Sequence, residues 1–225
     1  MKKVISLLTL LFVSTFALSA QGFVSFRLEA GPSFNFSKLS ILNETFKKEN
    51  MVGYHLGAYV DVPFSNGAYV SSGLTFSMKG GRYAGQSSTL GKGANSNITF
   101  HYLQIPVNFG YRLNVSRSIA VALQTGPYFS VALAGTAASG LKGAKVSYDI
   151  FKEGLADIFK PKRYDVGWGV QALAFYSRFY ATVGLDFGFL NVFNKNSDKK
   201  LQEDNNKGFL KMNTMQCFAG IGICF

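Results

Sequence analysis

The final stretch of the chain limits its fold more than any other segment. From Asn213 to Phe225 the residues alternate, with Met215, Cys217, Ala219, Ile221, Ile223 and Phe225 on one side and Thr214, Gln216, Phe218, Gly220, Gly222 and Cys224 on the other. A half-apolar strand left bare at the edge of a soluble sheet invites pairing with other chains. Closing it against the first strand of a barrel removes that edge, and an apolar outer face suits lipid. The expectation is a strand that seals a barrel in an outer membrane.

The other end of the chain agrees. Lys2 and Lys3 precede an apolar run from Val4 to Leu18 and then small residues, Ser19 and Ala20, the pattern of a secretory signal peptide over residues 1–20. The run is shorter than the roughly 18 to 20 residues a spanning helix needs. No cysteine follows the expected cleavage point, which argues against a lipoprotein anchor. No later segment reaches helical spanning length, so insertion must be by strands, and residues 21–225 are read as one barrel domain.

Composition fits this reading, with 24 glycines and 15% aromatic residues. The formal charge is +11, or +9 without Lys2 and Lys3, a value that suits nucleic acid or an anionic lipid surface. The lysines gather in segments read as loops, among them Lys47, Lys48, Lys142, Lys145, Lys152, Lys195, Lys199, Lys200 and Lys207. There they would meet outer-membrane lipid and phosphorylated lipopolysaccharide rather than nucleic acid; a merely solvated basic surface is the plainer alternative. Cys217 and Cys224 stand about 23 Å apart on one strand at about 3.3 Å per residue, facing opposite ways, so they cannot bridge.

About eight amphipathic strands follow one another: Phe23 to Phe36, Val52 to Pro63, Ala68 to Arg82, Ile98 to Leu113, Ser118 to Ala132, Arg163 to Tyr176, Phe179 to Val192 and Phe209 to Phe225. Long joins rich in Lys, Asn, Ser and Gly alternate strictly with tight ones at Ser65-Asn66-Gly67, Asn114 to Arg117 and Ser177-Arg178. That rhythm predicts an all-β, eight-stranded antiparallel up-and-down transmembrane barrel, with long external loops, short periplasmic turns and both termini periplasmic. Within the longest join, Asp149 to Phe159 reads equally as a short helix or a loop.

One face of each strand is nearly unbroken apolar, as in Leu103, Ile105, Val107, Phe109, Tyr111 and Leu113, or Phe179, Ala181, Val183, Leu185, Phe187 and Phe189. These are expected to face lipid. The opposite face mixes small, polar and charged groups, and its ionisable members carry both signs: Arg27, Lys79 and Arg112 against Glu29, Asp61, Asp165 and Asp186. Buried charges need partners, so an internal network that includes Glu29 and Asp186 is expected to act as structural glue. A narrow ion path lined by the same charges is the alternative, although eight strands enclose little more than their own side chains. Outward aromatics near strand ends, Tyr111, Tyr164, Trp168, Tyr176 and Phe179, read as interfacial girdles.

The sequence selects no catalytic, cofactor or metal residues. His55 and His101 with Ser71, Ser72 and Ser77 make a lipid-modifying hydrolase conceivable, but no spacing picks out a triad, and triads are defined by geometry. Gly80-Gly81 and Gly91-Lys92-Gly93 lack the phosphate-loop spacing. A soluble ligand-binding barrel is disfavoured because the large aromatics sit on the apolar face and Gly, Gln, Asp and Arg on the other.

Four segments carry a family resemblance: Tyr102-Leu103-Gln104-Ile105-Pro106, Gly126-Pro127-Tyr128-Phe129, Arg163-Tyr164-Asp165-Val166-Gly167-Trp168-Gly169 and Arg178-Phe179-Tyr180. In their order and spacing the chain resembles the PorT-like outer-membrane β-barrel family of Bacteroidota-type bacteria. The resemblance implies an integral eight-stranded barrel, inserted by the barrel-assembly machinery through its last strand, with Phe225 as the assembly signal. It implies no reaction. It leaves open a structural or interaction role with an envelope protein partner, or, as with the family's founding member, an accessory role in protein secretion. The chain departs from the family in ending Ile223-Cys224-Phe225 rather than Tyr-Arg-Phe, and in carrying Gln104 where an acidic residue is usual.

Overall fold

A computed structural model describes residues 24–36, 38–41, 44–45, 47–49, 51–64, 66–84, 95–141, 144–149, 162–190 and 211–225. Eight long strands dominate: β1 (Ser25–Asn35), β2 (Met51–Pro63), β3 (Ala68–Ala84), β4 (Asn95–Asn114), β5 (Ile119–Leu141), β6 (Tyr164–Tyr176), β7 (Phe179–Gly188) and β8 (Met215–Cys224). Each pairs antiparallel with its chain neighbour, and β8 returns to β1 with Arg27 opposite Cys224 and Asn35 opposite Gln216. The result is a closed eight-stranded antiparallel barrel. Closure satisfies the edge that the terminal strand would otherwise expose.

Strict alternation produces it. Along β7 every second residue from Tyr180 to Gly188 is buried while Phe179 to Phe187 are exposed, and β6 repeats the pattern. The tight joins are hairpins of the expected kind. The Phe64 amide donates to the Ala68 carbonyl (3.1 Å), and Gly67 between them adopts φ 86°, which a side chain would strain. At the next join the Ser116 hydroxyl accepts the amides of Ser118 and Ile119. The third turns through Ser177, at φ 54°.

The strands are unequal. β3, β4 and β5 run 17, 20 and 23 residues, whereas β7 and β8 have 10 each. A tilted strand crosses a membrane in about 9–11 residues. One side of the barrel therefore continues well past the apolar band on the long-loop side. There Ala144–Asp149 adds to the end of β5, and Lys47–Glu49 adds to Arg82–Ala84 of β3. The sequence reading ends the fifth strand at Ala132; the strand instead runs to Leu141 through Ala134, Gly135, Ala137 and Ala138, small residues held by pairing with Asn95–His101 rather than by their own preference. The alignment steps by one residue at His101/Tyr102, where β5 has an extra residue, and Leu133 and Ala134 both face outward.

The eighth strand is also shorter than the reading from Phe209. Its backbone breaks at Thr214, and Lys211–Asn213 pairs with Lys38, Leu39 and Ser40 instead. The signal peptide over residues 1–20 and all but the first residue of the Asp149–Phe159 segment lie outside the described residues.

Candidate functional site in the barrel interior

The inward side chains meet in three tiers. Nearest the short turns, both carboxylate oxygens of Asp61 on β2 accept from one guanidinium, with Arg27 Nε 2.6 Å from Oδ2 and Nη2 3.0 Å from Oδ1. This side-on ion pair is almost wholly buried. The same Nη2 also donates to Ser71 Oγ (3.0 Å) and Gln124 Oε1 (3.3 Å), and the guanidinium lies over the rings of Tyr59 and Tyr180. Arg112, whose side chain is 28% exposed, reaches Asp61 at 3.5 Å and stacks over Phe175 at 4.2 Å. Tyr69 donates to Gln124 (3.0 Å), and the Gln124 amide donates to Gln171. Tyr69, Ala122, Leu173, Phe175 and Tyr180 form a buried apolar cluster at this end.

Above it, Glu29 of β1 accepts from His55 Nε2 (2.7 Å), Tyr59 (3.0 Å) and Tyr180 (3.0 Å). The His55 ring lies flat on Phe218, with centroids 4.1 Å apart and planes 9° from parallel. Nearest the long loops, Lys79 donates to Gln104 (2.9 Å), whose amide donates across the barrel to Asp186 (3.0 Å). The Lys79 ammonium also stands over Tyr128 (4.6 Å) and Tyr102 (5.5 Å). Asp165 accepts from the Thr214 hydroxyl at 2.8 Å.

Several inward rings lie directly against strand glycines. Tyr59 covers Gly57, Tyr69 covers Gly110, Tyr128 covers Gly167, Phe218 covers Gly184 and Tyr180 covers Gly222, each ring occupying the volume that a side chain on its glycine would need. Aromatic cover of this kind repairs the packing lost at a strand glycine.

All seven charged residues expected inside face inward. Arg27, Glu29, Asp61, Lys79, Asp165 and Asp186 are buried and Arg112 is half-buried. The structure joins Arg27, Asp61 and Arg112 directly and links Lys79 to Asp186 through Gln104, while Glu29 and Asp186 stand in different tiers. Sequence reasoning missed the bridging role of Gln104, Gln124 and His55 and the large inward rings. The inner-register glycines were the available signal, because a small residue on an inner face calls for a large one beside it. His55 and Ser77 are register partners next to Glu29, but no hydrogen bond joins Ser77 Oγ to the imidazole.

On the outer face Tyr111, Tyr164, Trp168, Tyr176 and Phe179 are all exposed. Tyr176 and Phe179 flank the Ser177-Arg178 turn, Tyr111 lies near the Asn114–Ser118 turn, and Tyr164 opens β6 at the other end. Trp168 Nε1 donates to Thr125 Oγ1 (2.7 Å), which in turn donates to the Gly169 carbonyl, so the indole N–H is satisfied on a lipid-facing surface. Phe225 is exposed beside β1 and exchanges main-chain bonds with Phe26.

A closed antiparallel barrel whose strands carry a largely apolar outer face and turn Arg27, Glu29, Asp61, Lys79, Asp165 and Asp186 inward has the architecture of an integral outer-membrane protein. The chain belongs to the outer membrane protein beta-barrel domain family, whose model matches residues 16–194, and it is located in the outer membrane. Among solved structures it is similar to neisserial surface protein A at 11% identity, over 89% of this chain and 97% of that one, with a TM-score of 0.41. Similarity to Ail of Yersinia pestis is 12% identity over 90% and 99% of the two chains, with a TM-score of 0.40. A major outer membrane protein from Thermus thermophilus gives 12%, 90% and 99%, with a TM-score of 0.49. No curated protein is a significant sequence match.

Proposed function

We propose that the protein is a PorT-like integral barrel with a structural or interaction role, its interior filled by its own side chains. On this reading, recognition falls to the basic external loops, which meet lipopolysaccharide phosphates and neighbouring envelope proteins. The observation that carries it is the Arg27–Asp61–Arg112 tier set on the Tyr69–Leu173–Phe175 cluster, which supports a barrier across the short-turn end. The interior of an eight-stranded barrel is only just wide enough for side chains. Assembly runs through the last strand and Phe225, with the aromatic girdle setting depth.

Single-channel recording in a planar bilayer tests this. The expected result is a silent bilayer with folded protein; discrete openings would replace the proposal with the narrow-channel reading. A secretion complex that co-purifies with the barrel would assign it an accessory role there, and a mass change in lipid A lost on His55→Ala would make it an enzyme.

A further inference from the structure

We infer that the outward face of β2–β4, at its long-loop border, binds a phosphate of an outer-leaflet glycolipid of the lipid A class, with His101 as the hydrogen-bond donor. The inference deepens the lipid-partner reading above and rests on it. On β4 the outward positions Leu113, Tyr111, Phe109, Val107, Ile105 and Leu103 are all apolar or aromatic, and His101 is the next outward position. That row spans about the 9–11 residues of a membrane-crossing strand, which puts His101 at headgroup depth.

The imidazole there is held in place. Tyr54 of β2 lies 2.8 Å from its Nδ1, and Tyr54 and Phe76 both lie beside the ring, with centroids 6.0 and 6.2 Å away and planes within 25° of parallel. With the phenol donating to Nδ1, the ring proton sits on Nε2, which has no protein partner among the described residues. A polar ring fixed at the edge of a lipid-facing surface, with one N–H outstanding, suits an anionic acceptor at that depth.

The register supplies charge of the right sign. Met78 pairs with His101, and four positions further out on β3 the backbone of Arg82 pairs with Glu49, within the strand that contains Lys47 and Lys48. By register Arg82 and Lys47 share the outward face of His101 with one carboxylate, Glu49, while Lys48 falls on the opposite face, which leaves a net charge of +1 just external to the aromatic shelf. The loop lysines Lys199 and Lys200 belong to a different join, between β7 and β8.

The test uses the full mature barrel refolded in detergent, titrated with purified bisphosphorylated lipid A, with the folded gel band followed against temperature. Lipid A should raise the unfolding midpoint of the wild type, and fully dephosphorylated lipid A should raise it much less. Tyr54→Phe, which keeps the ring and removes only the hydroxyl, and His101→Phe should each raise the half-saturating concentration at least threefold. The combined Lys47→Gln and Arg82→Gln change should do the same, whereas Lys199→Gln with Lys200→Gln should leave it unchanged. Lipid A binding that ignores Tyr54 and His101 but is lost with Lys199 and Lys200 overturns the site and keeps the loop reading. Absence of any phosphate-dependent shift overturns both.

Discussion

The two ends of the interior are built differently. At the short-turn end one carboxylate, Asp61, holds two guanidiniums, and Arg27 satisfies four contacts through two of its nitrogens before rings cover it. At the long-loop end the ammonium of Lys79 reaches Asp186 only through an amide, and Asp165 accepts from a hydroxyl on another strand. A planar fork locks geometry as well as charge, whereas a point charge relayed through Gln104 tolerates rearrangement. The difference teaches that the turn end bears stability and the loop end has room to adapt.

The largest expected effect tests the turn end. Asp61→Ala strands Arg27 in a dry site, and removing one partner of a buried pair costs about 3–5 kcal/mol. Equilibrium urea unfolding of the vesicle-inserted barrel checks it; a loss under about 1 kcal/mol would mean water reaches Arg27 and the end is open. At the same end Gly110→Ala drives a methyl into the Tyr69 ring and should cost about 1–3 kcal/mol by overpacking. Gly110→Ala with Tyr69→Leu should recover part of that loss, since the conflict is between those two groups. At the loop end Lys79→Met should cost less, about 1–2 kcal/mol, because Asp186 and Asp165, which lose the nearby ammonium, keep their hydrogen bonds from Gln104 and Thr214. A loss equal to that of Asp61→Ala would erase the distinction between the ends.

The parts of this arrangement that follow a period of two were legible beforehand. Alternation assigned Arg27, Asp61 and Asp186 to the interior, and Asn66-Gly67 marked a hairpin, because each depends on neighbours in the chain. The pairings were not legible. Arg27 has Tyr59 as its register partner yet bonds Asp61, two residues along, because side chains lean along tilted strands. Gln104 meets Asp186 from the far side of the barrel, a contact fixed by closure rather than by any local rule. The outer part of β5 escaped notice for the opposite reason: Ala134, Gly135, Ala137, Ala138 and Gly140 carry little strand preference, and from Thr136 to Gly140 the strand is held by partners on both sides.

The smallest effect gives the sharpest comparison. Ser71 and Gln124 both accept from Arg27 Nη2, so removing them together, Ser71→Ala with Gln124→Met, should depart from the sum of the single losses by about 1 kcal/mol or more, as groups sharing a partner do. Lys79 and Thr214 hydrogen-bond different groups, Gln104 and Asp165, and Lys79 acts on Asp165 only as a nearby charge. Lys79→Met with Thr214→Val should therefore add to within about 0.5 kcal/mol, with Thr214→Val alone costing about 1 kcal/mol for its single bond to a carboxylate. Strong coupling at the loop end would show that Lys79 holds Asp165 and Asp186 as one unit, making that end as rigid as the other.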